Sequence, residues 1–499
     1  MSQRRRRVAL FGAAIVVLVL GIHVPFLKLP FFWDEAGQFI PAALDLYRNG
    51  DLVARSAIPN VHPPGVMLYL AAVWRIVGFS VAATRLAMLL MAAAAVFVCF
   101  LLAVELCRGV PGIPGFLAVV FLLASPIFYT QAMMAQLDMP AMAFTVLAFL
   151  LFLKERHVWA AWTAVALVMM KETGVLTPLV FLAALVWEKR LREAAWYLLP
   201  VAAVALWTLV VLARTGSAFG SAEFGVYNVE YLFHPVRASV ALVRRVYHLF
   251  FENFHFLGTL GIAFGMVYRN PFQGRRWGIT AWLIGVHVVA FSFLGGAMLE
   301  RYLLPVLPLT LIAMAAGLCS SPLVVSVGGT LALTAGLIWS NFWNPPYPFP
   351  YENNLAMTDF VRLHQTAAGF VEQNYPNAYI ATAWPLTAAF QNPRLGYVSF
   401  SHTVIPLYDF TPYSVGKVPR GAADVFVVYS REWTSPRSWM KFPLVEKFWR
   451  RFFGYQPQVS AAEIEARLGM RQVGMWSQNG QWIIVLAART PRPPAADLF

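Results

Sequence analysis

The chain has 499 residues, with 38 Lys plus Arg against 24 Asp plus Glu, so its formal charge is +14. Hydrophobic residues make up 59% and charged residues only 12%, whereas a soluble globular chain averages about 45–50% apolar and about 25% charged. Half the usual charge density leaves too little polar surface to cover a soluble body of this size. That excludes an ordinary cytosolic enzyme, a disordered chain and a nucleic-acid binder, and it assigns the positive balance to basic loops beside a membrane.

The first apolar stretch, 8–27, follows directly on Arg4, Arg5, Arg6 and Arg7 and is long enough to cross a bilayer as a helix. No small-x-small pattern follows it, so it reads as an uncleaved signal anchor. Further spans are expected near 82–106, 113–130, 138–153, 158–171, 173–187, 194–213, 250–267, 277–294, 302–319 and 322–341, about eleven in all. With Arg4–Arg7 in the cytoplasm, alternate loops should be basic. They are: Arg108; Lys154 and Arg156; Lys189, Arg190 and Arg192; and Arg269, Arg275 and Arg276. One missed span would invert every later loop, so the agreement supports the whole map. It predicts a multi-pass protein of the cell inner or plasma membrane with segments 28–81, 131–137, 214–249 and everything after Trp343 outside. Cys99, Cys107 and Cys319 lie in or beside apolar runs, without metal-ligand spacing, and read as small buried hydrophobes.

The stretch 344–350, Asn-Pro-Pro-Tyr-Pro-Phe-Pro, reads as a stiff linker. Beyond it, Val425–Tyr429 and Trp482–Leu486 read as buried strands, and Ala462–Leu468 as a short helix. The expected organisation is a polytopic α-helical membrane domain, 1–343, with a first outer loop 28–81, followed by an extracytoplasmic α/β domain, 344–499.

The first outer loop is the richest in chemistry. It runs Phe31-Phe32-Trp33-Asp34-Glu35-Ala36-Gly37-Gln38-Phe39, placing two adjacent carboxylates beside three aromatics at an apolar interface. Such a pair is either functional, given its desolvation cost, or the acidic start of the helix expected over Gln38–Tyr47. The loop continues to Asn60-Val61-His62-Pro63-Pro64-Gly65 and an interfacial helix over Met67–Phe79. Asp138, two residues before Pro140, reads either as a helix cap or as a second functional carboxylate. Lys171-Glu172 sits at an outer turn, where a solvated pair is the simpler alternative. Arg301, in Leu299-Glu300-Arg301-Tyr302, is either a headgroup-snorkelling cation or an anion ligand.

Taken in order, WDEAGQF, HPPG, TRL at 84–86, LDMP and ERYLLPVLP resemble glycosyltransferase superfamily C (GT-C), in the branch of protein O-mannosyltransferases and ArnT-like aminoarabinose transferases. The resemblance covers about residues 1–345. It implies a GT-C fold and sugar transfer from a polyprenyl-phosphate carrier to an acceptor hydroxyl on a lipid, glycan or protein at the outer membrane face, consistent with the lack of a Rossmann glycine fingerprint. By that resemblance Asp34 is the general base, Glu35 completes the acidic pair, Asp138 is a further cavity carboxylate, and Arg301 with Tyr302 lies near the carrier phosphate. A phosphate leaving group needs positive charge more than a strong acid, and Arg301, His62 and Lys171 are the cations assigned to it. One base without a covalent partner implies inversion. The sequence departs from ArnT-like relatives where Val61-His62 replaces Glu-Lys. A possible divalent cation has His234 as its candidate ligand, while His248 and His255, with Arg244 and Arg245, fit an amphipathic interfacial helix. The competing classes are a secondary transporter, which would carry midplane charges and related halves, a lipid-linked glycan ligase or polymerase, and a sensor or scaffold working through its outer domain.

Overall fold

The computed structural model describes residues 3–343, 349, 352–431 and 442–489, with side chains from Val8 onward. The linker expected at 344–350 lies, Phe349 apart, outside the described residues, as do the side chains of Arg4–Arg7. The chain divides into two compact units, Met1–Leu27 with Ile40–Phe342, and Lys28–Phe39 with Trp343–Phe499. The opening of the first outer loop thus groups with the C-terminal residues.

The first unit is helical because its long apolar stretches satisfy their backbone groups internally. Five helices are long and apolar enough to cross a membrane: Val8–Phe26, Val81–Leu106, Leu191–Thr215, Arg275–Phe293 and Leu323–Phe342. Two bent pairs also pass as single spans. Pro114–Ala124 and Pro126–Ala132 meet at 68°, and Pro235–Phe250 and Glu252–Tyr268 at 42°. The first bend follows from Pro126, which cannot donate into the preceding turn. Five shorter apolar helices, Gly65–Val77, Asp138–Leu153, His157–Met170, Glu172–Trp187 and Leu307–Ser320, complete the set. The helix His255–Tyr268 packs closely on Leu307–Ser320. A Cβ at Gly258, Gly261 or Gly265 would overlap Met314, Leu318 or the Gly317 backbone. Small residues let two apolar helices approach where no hydrophobic difference drives them together.

The second unit holds a five-stranded sheet of order β2-β1-β3-β5-β4, with β1 Tyr379–Ala383, β2 Thr403–Leu407, β3 Val425–Tyr429, β4 Met470–Gln478 and β5 Gln481–Ala488. β1 pairs in parallel with β2 and β3, while β5 runs antiparallel to β3 and β4. All five residues of β3 are buried, the sign of a central strand covered on both faces. Asn479 and Gly480 close the β4–β5 hairpin with φ of 49° and 83°, the positive pair a type I′ turn requires. The helix Ala356–Asn374 covers β4 and β5. Its His364 ring stacks on Phe360, 3.5 Å between centroids, and meets Tyr429 edge-on. Burial pushes the His364 pKa down to about 3, so the ring is a neutral core group.

The Lys28–Phe39 segment is woven into this unit. The Phe31 amide donates to the Leu395 carbonyl at 3.2 Å, and the Tyr397 hydroxyl donates to the Phe31 carbonyl at 2.9 Å. Phe32 packs edge-on against Phe360. Of the loop's three aromatics, Phe31 and Phe32 are thus buried in this unit and Trp33 is half-buried.

A single carboxylate closes another loop of the unit. Glu372 Oε1 accepts from the Ser399 amide (2.6 Å), the Ser399 hydroxyl (2.9 Å) and the Phe400 amide (3.3 Å). Burial raises its pKa, but these donors and nearby His402 outweigh it and hold the carboxyl below its usual range. A depressed folded-state pKa gives stability that is present above the unfolded value and lost as pH falls through the folded one. Glu372→Gln should cost about 1–2 kcal/mol at neutral pH. The gap between wild type and variant should close below about pH 4, as followed by thermal melts of the purified protein at a series of pH values.

Candidate functional site

In the first unit four sequence-distant segments deliver charge to one place. Asp138 opens the helix Asp138–Leu153, Lys171 is the extended residue ending His157–Met170, and Arg301 lies in the 3-10 turn Glu300–Leu303. Lys171 Nζ lies 2.5 Å from Asp138 Oδ1. Arg301 Nε is 3.2 Å from Asp138 Oδ2, and Arg301 Nη1 donates to Gln136 Oε1 at 2.6 Å. Asp138, Arg301 and Lys171 are only 2%, 4% and 5% exposed, so none is a solvated or snorkelling charge. The fourth segment is the helix Pro235–Phe250, which supplies Arg245.

These cations surround one ring. The Tyr302 centroid lies 4.6 Å from Lys171 Nζ, 5.4 Å from Arg245 Cζ and 5.9 Å from Arg301 Cζ. Gly295, at φ +82°, admits the ring, since a Cβ there would overlap it. Arg245 is fully buried. Its Nη1 donates to the Leu299 carbonyl at 2.5 Å, while Nε and Nη2 find no hydrogen-bond partner among the described residues. Lys171, Arg245 and Arg301 thus gather around Tyr302, with Asp138 shared by Lys171 and Arg301 and Glu300 acting on Arg245. Buried charge is expensive unless paired, and guanidinium and ammonium groups gathered in this way suit a phosphate.

His62 stands in the same unit. Its Nδ1 is 2.9 Å from Glu172 Oε2, and its ring meets Phe224 edge-on. The Trp207 indole donates to the Val61 carbonyl at 2.8 Å and so anchors the loop. Glu172, which the sequence offers as half of a solvated pair, is instead the partner of His62.

The metal candidate His234 caps the helix Pro235–Phe250, its Nδ1 accepting from the Val236 amide at 3.2 Å. Among the described residues the side chains close enough to share an ion are His248, Glu252 and Glu300. His248 Nδ1 lies 2.5 Å from Glu252 Oε2 and 3.2 Å from Glu300 Oε1. One imidazole and two carboxylates form a reasonable donor set for zinc. However, Arg244 Nε donates to His248 Nε2 at 2.9 Å, so the neutral ring carries its proton on Nδ1, aimed at the carboxylates. To bind an ion beside these carboxylates His248 would have to leave Nδ1 bare and donate from Nε2, which here accepts from Arg244. The cluster as folded fits a shared proton better than an ion, and no step is routed through a metal.

Asp34 and Glu35 belong to the second unit. Glu35 is fully buried and accepts from the Phe32 amide at 2.9 Å, closing the turn. Asp34 is half-buried beside it. Trp33, just before, has φ +43°, a left-handed conformation that costs a non-glycine residue about 1–3 kcal/mol. Residues Glu35–Phe39 form a π-turn, a feature frequent at functional sites. Gly37 is fixed by packing, since a Cβ there would overlap the Trp384 indole. Both residues of the WDEAGQF carboxylate pair thus sit on a strained, tightly held turn.

Sequence reasoning missed Arg245 and Gln136 as site residues, and it read Glu172 only as a neighbour of Lys171. Arg245 was hidden by the amphipathic pattern of its helix. Gln136, two residues before Asp138, carries no pattern of its own.

The charge cluster yields a test of its own. Lys171→Met deprives Asp138 of one of its two cations in a buried setting, and should cost about 3–5 kcal/mol. Lys171→Met combined with Asp138→Asn should recover most of that loss, as measured by unfolding of the purified protein in micelles. An additive double variant would separate the two residues.

No family model matches this sequence, and no curated protein matches it significantly. Solved structures do. ArnT from Cupriavidus metallidurans bound to undecaprenyl phosphate is similar over 96% of this chain and 97% of its own, at 12% identity and a TM-score of 0.55. Its apo form is similar over the same shares at 13% identity and a TM-score of 0.53. The archaeal oligosaccharyltransferase AglB from Archaeoglobus fulgidus, in complex with an inhibitory peptide and a dolichol-phosphate, covers 81% of this chain and 65% of its own at 10% identity and a TM-score of 0.46. The chain therefore has a fold like that of ArnT, with apolar helices long enough to cross a membrane and a small C-terminal sheet unit.

Proposed function

We propose that this protein is an integral-membrane glycosyltransferase that moves a sugar from a polyprenyl-phosphate carrier to an acceptor hydroxyl at the extracytoplasmic face. The observation that carries the reading is the gathering of three buried cations, Lys171, Arg245 and Arg301, around Tyr302. A carrier phosphate offers the matching negative charge, and its isoprenoid tail suits a unit rich in apolar helices. Support also comes from ArnT, which shares the fold and was solved with undecaprenyl phosphate.

Lys171, Arg301 and Arg245 hold the phosphate, with Tyr302 beside it and His62 as a hydrogen-bonding neighbour. Asp138 orients Lys171 and Arg301, so that their donors are fixed before negative charge develops on the departing phosphate. Asp34 is the general base. The acceptor oxygen attacks the anomeric carbon, the bond from that carbon to the phosphate oxygen breaks, and its electron pair leaves with the phosphate. The acceptor proton passes to the Asp34 carboxylate. The displacement inverts the anomeric centre. Glu35 acts by holding the turn that carries Asp34.

Two variants separate base from phosphate binding. Asp34→Asn should lower transfer in vesicles supplied with carrier-linked sugar by about a hundred- to ten-thousand-fold while leaving carrier-phosphate binding unchanged. Arg301→Ala should weaken that binding. Wild-type turnover by Asp34→Asn removes the base assignment, and undiminished carrier binding by Arg301→Ala removes the phosphate assignment.

The topology carries its own check. A cysteine at the exposed Leu52 should react with an impermeant thiol reagent from outside intact cells, and one at the exposed Gln273 should not. The reverse pattern places the loops on the opposite sides.

A further inference from the structure

The parallel core of the second unit has the order β2-β1-β3, so the chain moves outward from β1 to β2 and then crosses back to β3. Open sheets wound in this way bind ligands outside the carboxyl ends of their strands. At that edge lies a cleft of about 800 Å³, a size that encloses a small organic ligand. Its walls come from the end of β2 and the loop after it, from Arg431 beyond β3, and from the segment 454–458. Arg431 Nη1 donates to the Tyr408 carbonyl at 3.0 Å and ties two of these walls together.

The turn that carries Asp34 is seated on the same edge. Trp384 directly follows β1, and its carbonyl accepts from the Tyr429 hydroxyl, at the end of β3, at 2.5 Å. Trp33, the residue before Asp34, meets the Trp384 ring edge-on with 5.0 Å between centroids. Arg431 Cζ lies 5.7 Å from the centre of the Trp33 ring. Arg431 therefore joins the cleft to the Asp34 turn.

The lining selects the ligand. Tyr408 and Tyr413 are 86% and 69% exposed, and each offers an apolar ring with a polar tip. Lys417 Nζ stands 4.1 Å from the centre of the Tyr413 ring, and Lys417 has no ion pair among the described residues. Asp409, the one carboxylate among the described lining residues, accepts from the Thr411 amide at 3.0 Å and hydroxyl at 2.7 Å and also interacts with Arg431. That leaves the Lys417 ammonium as the charge for a ligand to meet. Exposed Gln456 adds an amide that both donates and accepts. Rings for C–H faces, phenols and an amide for hydroxyls, and a single cation suit a saccharide with one carboxylate. A peptide added as a further strand is disfavoured, because β2 is the edge strand and contains Pro406, which withholds a donor from the free side.

We propose that this cleft binds the acceptor, and that the acceptor is an acidic saccharide held by Tyr408, Tyr413, Gln456 and Lys417 on the edge where Asp34 is fixed. The assignment rests on the reading of the protein as a glycosyltransferase with Asp34 as base.

Transfer kinetics test it in the full-length protein. Vesicles containing it receive labelled carrier-linked sugar and graded amounts of an acceptor extract from cells lacking the gene. Tyr413→Ala and Lys417→Gln should each raise the half-saturating amount of extract about tenfold, and Lys417→Glu should raise it further. Carrier-phosphate binding and thermal melting should match wild type, which separates a lost contact from a lost fold. Converting the extract's carboxylates to amides with carbodiimide and methylamine should reproduce the Lys417→Gln effect on wild type and add nothing to that variant. Digesting the extract with protease should change nothing. If wild type transfers and both variants saturate like it, the cleft is not the acceptor site. An acceptor lost to protease overturns the saccharide, and one indifferent to amidation overturns the carboxylate. Wild type that transfers to nothing in the extract defeats the glycosyltransferase reading itself, and the inference with it.

Discussion

The positive charge gathered around Tyr302 is the constraint that gives the helical unit its meaning. Each of Lys171, Arg245 and Arg301 is nearly withdrawn from water, and Asp138 is shared between two of them. Taking an ion out of water costs several kcal/mol even after relaxation, so cations buried this close together need anionic groups beside them. The helices serve this arrangement by ending in the right places. Asp138 begins one, Lys171 terminates another, and Arg301 sits in a short 3-10 turn. Helix ends leave backbone groups unpaired, and they are also where side chains from different elements can converge without disrupting the packed interior.

The second unit meets a different constraint. It has a parallel core, β2-β1-β3, extended by the antiparallel β5 and β4, and its interior is completed by residues from far upstream. Phe31 and Phe32 belong to its core, more than three hundred residues before the strands they help to cover. The acidic turn at Asp34 is consequently held by soluble-type packing of aromatic rings and hydrogen bonds, which is stiffer than a loop lying at the membrane surface would be.

What the sequence disclosed follows from how local each signal was. Each of the eleven apolar stretches holds a helix, because hydrophobic length is a property of contiguous residues. Val425–Tyr429 was readable as a buried strand for the same reason. The pattern did not reveal that 113–130 bends at Ser125, although Pro126 was the signal. β1 and β2 are only five residues each, β1 holding two alanines and β2 a proline, so their local patterns are weak and their pairing defines them. The Asn-Gly at 479–480 would have located the β4–β5 hairpin. Among site residues, Asp138, Lys171, Arg301 and Tyr302 were legible as motifs, and their mutual proximity was not. Arg244 and Arg245 look alike in sequence, yet Arg244 donates to His248 whereas Arg245 is buried over Tyr302. Only the rotation of the helix distinguishes them. Likewise, the grouping of Phe31 and Phe32 with the C-terminal sheet depends on contacts that no local pattern encodes.

The Val61-His62 pair, where the resemblance to ArnT-like proteins leads one to expect Glu-Lys, bears on where the charge resides. His62 comes with its own carboxylate, Glu172, drawn from 110 positions away and 2.9 Å distant. A lysine at that position would add a fixed positive charge to the unit, whereas the His62–Glu172 pair adds none and can donate only a hydrogen bond. In the proposed reaction the attraction for the carrier phosphate therefore falls to Lys171, Arg245 and Arg301, of which Arg245 makes no side-chain contact with Asp138 while the other two share it.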